Sequence, residues 1–144
     1  MAPILITENI YKAYGDNKVL KGISFQMNKG DTKVIIGPSG SGKSTMLRCI
    51  NRLTEPDEGK IVYRGQDITG LSRHEMKPLR KEMQIIFQDP FGSLNPRMTV
   101  GASIEEGLRA RGVRDKAKHK KRVEELLEMV GMAADGADRY PHEF

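Results

Sequence analysis

The sequence predicts an α/β domain followed by a helical block, and three features lead to that reading. The short apolar segment Thr32–Ile36 runs directly into a glycine-rich stretch, Gly37–Gly42, after which the hydrophobic period changes from two to 3.6. The residues before it are dominated by β-prone runs. After Gln88 the pattern becomes loop-like and then helical to the end.

Ile4–Thr7 is the first β-prone run. Ile23, Phe25 and Met27 alternate with Ser24 and Gln26, the pattern of a half-buried strand, and Gly15-Asp16-Asn17 supplies turn chemistry between the two. Thr32–Ile36 ends in three apolar residues, as a central parallel strand would. Met46, Cys49, Ile50 and Leu53 fall at i, i+3, i+4 and i+7 of an amphipathic helix, which Thr54–Gly59 stops. Ile61–Tyr63 and Met83–Phe87 read as further strands. Ser72 and Glu75 have capping-box spacing, but Pro78 would break a helix begun there, so the expected helix starts nearer Pro78 or is kinked. Val100, Ile104 and Leu108 mark one later helix; Val123, Leu126, Leu127 and Val130 mark another, with Gly131 as its stop. The expected organisation is one domain over 1–144, with a β and loop-bearing core over 1–88 and a helical subdomain over 89–144.

Composition fits a folded chain: 144 residues, 38% hydrophobic and 30% charged. No apolar run approaches the roughly 20 residues of a membrane helix. Met1–Ile10 has no basic residue and contains Glu8, unlike a secretory leader, so a cytoplasmic location is expected. Cys49 is the only cysteine, and His74, His119 and His142 show no ligand spacing, so neither an intrachain disulfide nor a structural metal site is expected.

The chemistry is concentrated in Gly37-Pro38-Ser39-Gly40-Ser41-Gly42-Lys43-Ser44, which fits G-x-x-x-x-G-K-[ST] at every fixed position. Glycines let successive N–H groups turn inward toward phosphate oxygens. The following helix aims its free amides and dipole at the same anion. Lys43 adds a mobile point charge for the β- and γ-phosphates, and the Ser44 hydroxyl suits Mg²⁺, a hard ion that prefers oxygen. The plain alternative, a Gly/Ser linker, does not sit between an apolar strand and a periodic helix. A dinucleotide fingerprint would need glycine where Thr45 stands. Asn28-Lys29-Gly30-Asp31 matches a guanine-reading pattern but precedes the loop, and a tight turn accounts for it.

Over nearly its whole length the chain resembles the ATP-binding subunits of ABC transporters. The phosphate loop carries this resemblance, with Tyr14 in Tyr11-Lys12-Ala13-Tyr14-Gly15 and Gln88 in Ile85-Ile86-Phe87-Gln88-Asp89-Pro90. It implies a P-loop NTPase fold with a RecA-like core, an antiparallel β subdomain and a helical subdomain. It implies that Tyr14 stacks on adenine, with Tyr11 as the fallback, and that Gln88 presents its amide to Mg²⁺ or water. The implied nucleotide site is Tyr14, Gly37, Ser39, Gly40, Ser41, Gly42, Lys43, Ser44, Thr45 and Gln88, with Ser44 and Gln88 toward the metal and ATP and Mg²⁺ as ligands. Implied partners are transmembrane permease subunits and a second ATP-binding subunit, at the inner face of the cell membrane.

Subfamily signals are mixed. Leu47–Leu53 resembles amino-acid or osmolyte importers, whereas Phe91–Met98 and Gly65–Gly70 resemble peptide importers, and the balance leans to oligopeptide or dipeptide import. Arg139–Phe144 resembles the segment just before the family's signature sequence. No signature, no apolar strand ending in Asp-Glu and no later switch histidine stands in these residues, so no catalytic residue is assigned and binding with little hydrolysis is expected. The fold is expected to be truncated, leaving one edge of the loop strand uncovered and the chain marginal or self-associating. Non-transport ABC proteins usually carry long insertions, and small-molecule kinases an arginine-bearing lid; neither feature is recognisable, and a binding-only module is the remaining rival. Net charge is +5, and Arg111, Arg114, Lys116, Lys118, Lys120, Lys121 and Arg122 crowd one segment. No aromatic interleaves them, so a solvated helix face is expected rather than a nucleic-acid surface.

Overall fold

Two long strands, β1 (Leu5–Tyr14) and β2 (Asn17–Met27), form an antiparallel hairpin closed by Gly15-Asp16, with Tyr14 opposite Asn17. The structure is a computed structural model that describes residues 2–89 and 92–144. β1 is more than twice the length of the β-prone run that announces it, and Ile10 lies fully buried on the same strand beyond a register shift. β3 (Glu58–Tyr63) pairs antiparallel with the other edge of β1, and the short β4 (Gln66–Asp67) pairs with β3. The sheet order is β2-β1-β3-β4. The chain divides into two compact units, 1–85 and 86–144.

In the first unit, helix α1 (Lys43–Ile50) covers the sheet with Met46 and Cys49. These join Leu5, Ile10, Leu20, Ile61, Tyr63, Ile68 and Met76 in one core. α1 is shorter than its apolar stripe suggests. Asn51 caps it, Arg52 turns to φ 53, and Leu53 is left exposed. Arg52 is buried instead: its Nε donates to the Ile68 carbonyl at 3.1 Å and its Nη2 to the Leu71 carbonyl at 3.2 Å. Its own carbonyl accepts from Arg80 Nη2 at 2.6 Å. These bonds tie the end of α1 to the segment that leads into α2 (Arg73–Arg80).

α2 corrects one expectation. It begins at Ser72 with a complete capping box, Glu75 N donating to Ser72 Oγ and Ser72 N to Glu75 Oε2, and it runs through Pro78. Pro78 removes one N–H from the ladder only two residues before the helix ends, so the reciprocal cap outweighs it. Two expected strands are also absent. Neither Thr32–Ile36 nor Met83–Phe87 pairs with any described residue, and the sheet formed among the described residues is wholly antiparallel. The reason is the lack of a partner strand: Val34 is 75% exposed, Ile36 87% and Ile86 97%, so apolar sequence is present without the ladder that defines a strand.

The second unit packs α3 (Val100–Ala110) against α4 (Lys116–Met129) and a 3₁₀ turn, Ala134–Asp138. Thr99 caps α3 by accepting from Ala102 N, and Asp115 caps α4 by accepting from Ala117 N and Lys118 N. Gly131 takes φ +76 just past α4, as a helix stop requires. α4 buries His119, Val123 and Leu127, while Lys116, Lys118, Lys120, Lys121 and Arg122 lie exposed.

Candidate functional site

The stretch from Gly37 to Thr45 turns from extended chain into the first turn of α1. Gly42 occupies the N-cap with φ 92 and ψ 4, and no side chain caps the helix. The left-handed conformation disfavours a β-carbon, and the surroundings crowd it. A Cβ at Gly42 would stand 3.0 Å from Leu20 Cδ2, Val19 Cγ1 and the Val19 carbonyl oxygen. The loop therefore seats directly on β2. Gly40, at φ +80, differs in that a Cβ there would meet nothing within 4 Å, so the chain is open on that side.

This geometry leaves an electropositive helix end. Met46 N bonds back to the Gly42 carbonyl at 2.8 Å, but the preceding amides of α1 have no side-chain acceptor, and no acidic residue lies in the first turn. The Lys43 ammonium folds over the loop and donates to the Gly37 and Pro38 carbonyls, each at 2.7 Å, with Ser41 Oγ at 3.4 Å. Lys43 thus closes the loop on itself with acceptors that an incoming anion can replace. Ser44 is exposed, and Thr45 is half-buried beneath it. A groove of about 520 Å³ adjoins the loop, lined by Leu20, Phe25, Val34, Ile36, Lys43 and Met46 among others.

A triphosphate fits the donor set: free amides, one ammonium group and an open loop. For Mg²⁺ the Ser44 hydroxyl is a suitable hard donor. Among the described residues no group of three or more His, Cys, Asp or Glu side chains could hold a metal by itself. An ion here would take its remaining ligands from phosphate and water, which suits magnesium.

Gly37, Ser39, Gly40, Ser41, Gly42, Lys43, Ser44 and Thr45 share the loop and helix start. Tyr14 ends β1 on the hairpin whose second strand seats Gly42, and it is 51% exposed. Gln88 is an exposed residue of the second unit. Pro90 and Phe91, parts of the motifs around Gln88, lie outside the described residues.

Sequence reasoning missed Lys12 and Asp57. Lys12 Nζ lies 5.6 Å from the Tyr14 ring centroid and donates to Asp57 Oδ1 at 2.6 Å. Hydrogen bonding to Asp57 holds the Lys12 ammonium above its ordinary range, and the same bond, helped by the Ala13 amide, holds Asp57 below its own. The two residues stand 45 positions apart, so no local pattern could have paired them.

Comparison with known proteins gives one consistent result. Residues 20–144 match the family model described as "ABC transporter". The chain is 47% identical over 131 residues to the oligopeptide transport ATP-binding protein AppF of Bacillus subtilis, covering 90% of this chain and 40% of that protein. It is 42% identical over 146 residues to a putative peptide import ATP-binding protein of Brucella ovis, covering 99% of this chain and 46% of the relative. The glutathione import ATP-binding protein GsiA of Salmonella paratyphi A is 49% identical over 125 residues, which are 87% of this chain and 20% of that protein. The chain thus spans less than half the length of each of these relatives. Among solved structures, a dimeric ATP-binding cassette in a post-hydrolysis state bound to ADP and Pi superposes with TM-score 0.82 at 30% identity, over 97% of this chain and 62% of that one. cbiO1 from Clostridium perfringens, part of an ABC transporter complex, superposes with TM-score 0.77 at 28% identity, over 100% of this chain and 56% of that one.

Proposed function

The chain belongs to the ABC transporter family, and from that premise we propose that it is the ATP-binding portion of a subunit that powers peptide import. The observation that carries the reading is the Lys43 ammonium resting on the Gly37 and Pro38 carbonyls above an uncapped helix start. In this reading the nucleotide phosphates take the ammonium and the free amides of α1, exchanging neutral carbonyl acceptors for anionic oxygens. An anionic oxygen adds to the ammonium a charge attraction that a neutral carbonyl cannot supply. The Ser44 hydroxyl is offered to the magnesium ion that accompanies the phosphates, and the exposed Tyr14 ring offers a flat surface to adenine.

The peptide assignment rests on the relatives, whose names specify oligopeptide, peptide or glutathione import. Among the described residues no helix is long and apolar enough to cross a membrane. The proposed setting is accordingly peripheral, on the cytoplasmic side, against transmembrane permease subunits and a second ATP-binding subunit. The residues present supply a phosphate loop, and the role proposed for them is nucleotide binding. Equilibrium binding of Mg-ATP to the purified chain tests the reading. Binding that weakens on Lys43→Ala supports it, and affinity indifferent to that substitution overturns it.

A further inference from the structure

Between α1 and β3 the chain makes a turn over Thr54–Asp57, and Asp57 in that turn reaches back to the end of β1. Its carboxylate uses both oxygens. Oδ1 accepts from Lys12 Nζ at 2.6 Å and Oδ2 accepts from the Ala13 amide at 2.7 Å. Its own amide donates to the Tyr11 carbonyl at 2.9 Å. One residue therefore grips three consecutive positions, Tyr11, Lys12 and Ala13, directly before Tyr14. A turn that only reversed the chain would need the backbone bond and not the two carboxylate bonds.

These bonds have a directional consequence for the tyrosine. The Lys12 side chain is only 15% exposed, whereas the ring beside it is half open. The ammonium, fixed by Asp57, lies over the Tyr14 ring at 5.6 Å from its centroid. A cation held at that distance is attracted to the π-face it covers. One face of the ring is thereby taken and its tilt restrained, which leaves the other face for a flat ligand. The same turn leaves the helix whose first residues form the phosphate loop, while Gly42 at the start of that helix packs on Val19 and Leu20 of the hairpin that ends in Tyr14. The start of the helix and the turn that follows it are thus both anchored to one hairpin.

We propose that Asp57 is a positioning residue for nucleotide binding: it clamps Lys12 against one face of Tyr14 and so presents the opposite face as the platform for the base. The inference rests on the reading of Tyr14 as the base-stacking residue. It adds that base affinity is set from outside the loop, by an ion pair that touches neither base nor phosphate. The platform takes a flat heteroaromatic base by stacking, which asks for no particular hydrogen bonds.

The test separates base from phosphate. Binding of Mg-ATP and of inorganic tripolyphosphate is measured by calorimetry for the full 144-residue chain and its Asp57→Asn, Lys12→Met and Tyr14→Ala variants. Asp57→Asn and Lys12→Met are expected to weaken Mg-ATP by about fivefold while leaving tripolyphosphate unchanged. Asp57→Asn added to Tyr14→Ala is expected to cost nothing more, because its effect passes through the ring. Lys12→Met keeps the apolar stem and the turn, so it answers the question if Asp57→Asn proves unstable. Equal weakening of both ligands, or unchanged Mg-ATP binding in both variants, overturns the proposal. If the unaltered chain binds tripolyphosphate as tightly as ATP, the Tyr14 platform falls with it while the phosphate site stands. Binding of neither ligand removes the functional reading as well.

Discussion

Replacing Gly42 by alanine puts the seating of the loop to a quantitative test. Gly42 has φ 92, a left-handed conformation that costs an alanine about 1 kcal/mol. The added methyl also meets Leu20 Cδ2, Val19 Cγ1 and the Val19 carbonyl oxygen at 3.0 Å. The leucine and valine methyls can shift, but the carbonyl belongs to β2, which is held by its ladder to β1. Relieving such a contact typically costs about 1–2 kcal/mol. The expected destabilisation is therefore about 2–3 kcal/mol, which for a chain of this size lowers the melting temperature by roughly 5–10 °C. Gly40→Ala is the internal control, since φ is again positive at +80 but a Cβ meets nothing within 4 Å. Only the backbone term applies there, about 1 kcal/mol and roughly 2–4 °C. Thermal unfolding followed by circular dichroism reads both. Equal shifts in the two variants, or a Gly42→Ala protein that melts like the parent, would show that the loop does not rest on β2 as described.

Three further outcomes are expected. Asp57, Asp67 and Glu75 all have carboxyl pKa values below their ordinary range, held there chiefly by hydrogen bonds from Lys12, Thr69 and Ser72 respectively. Depressed folded-state values stabilise above the unfolded pKa of about 4 and lose that contribution as pH falls through the folded values. The melting temperature should thus be level from neutrality to about pH 5 and fall below it; a rise on acidification would contradict the assignment. Pro78→Ala restores one helical N–H in α2 and is expected to raise stability by about 1 kcal/mol in urea denaturation, with no gain if the cap alone limits the helix. Val34 and Ile36 are exposed on an unpaired extended segment, so sedimentation should show concentration-dependent association that Val34→Lys with Ile36→Lys reduces. A parent chain that is monomeric at all concentrations would count against that.

Much of the fold was legible because it is local. The loop, the amphipathic stripe of α1 and the apolar stripe of α4 with its Gly131 stop follow from spacing within a few residues. The failures share a different cause. Thr32–Ile36 and Met83–Phe87 carry strand-like sequence, yet a strand exists only where a neighbour accepts its hydrogen bonds, and no sequence window contains the neighbour. Pro78 misled because a helix propensity penalty was weighed without the tertiary tie of Arg80 to the Arg52 carbonyl, 28 residues away. In the candidate site, the residues of the proposed phosphate loop are contiguous, so one motif contains them. The Lys12–Asp57 clamp beside Tyr14 joins strand β1 to a distant turn and left no periodic signal.

The central claim is that the Gly37–Thr45 loop and its lysine form a phosphate site, and equilibrium dialysis of the chain against labelled Mg-ATP tests it most directly. Losing charge-assisted bonds worth about 1.5–3 kcal/mol, Lys43→Ala is expected to weaken binding by roughly 10- to 100-fold with its melting temperature little changed, because the bonds it makes within the protein are exposed. Saturable binding by the parent, reduced to that extent in the variant, is the predicted result. A folded parent that retains no ATP, or a variant that retains as much as the parent, would contradict it.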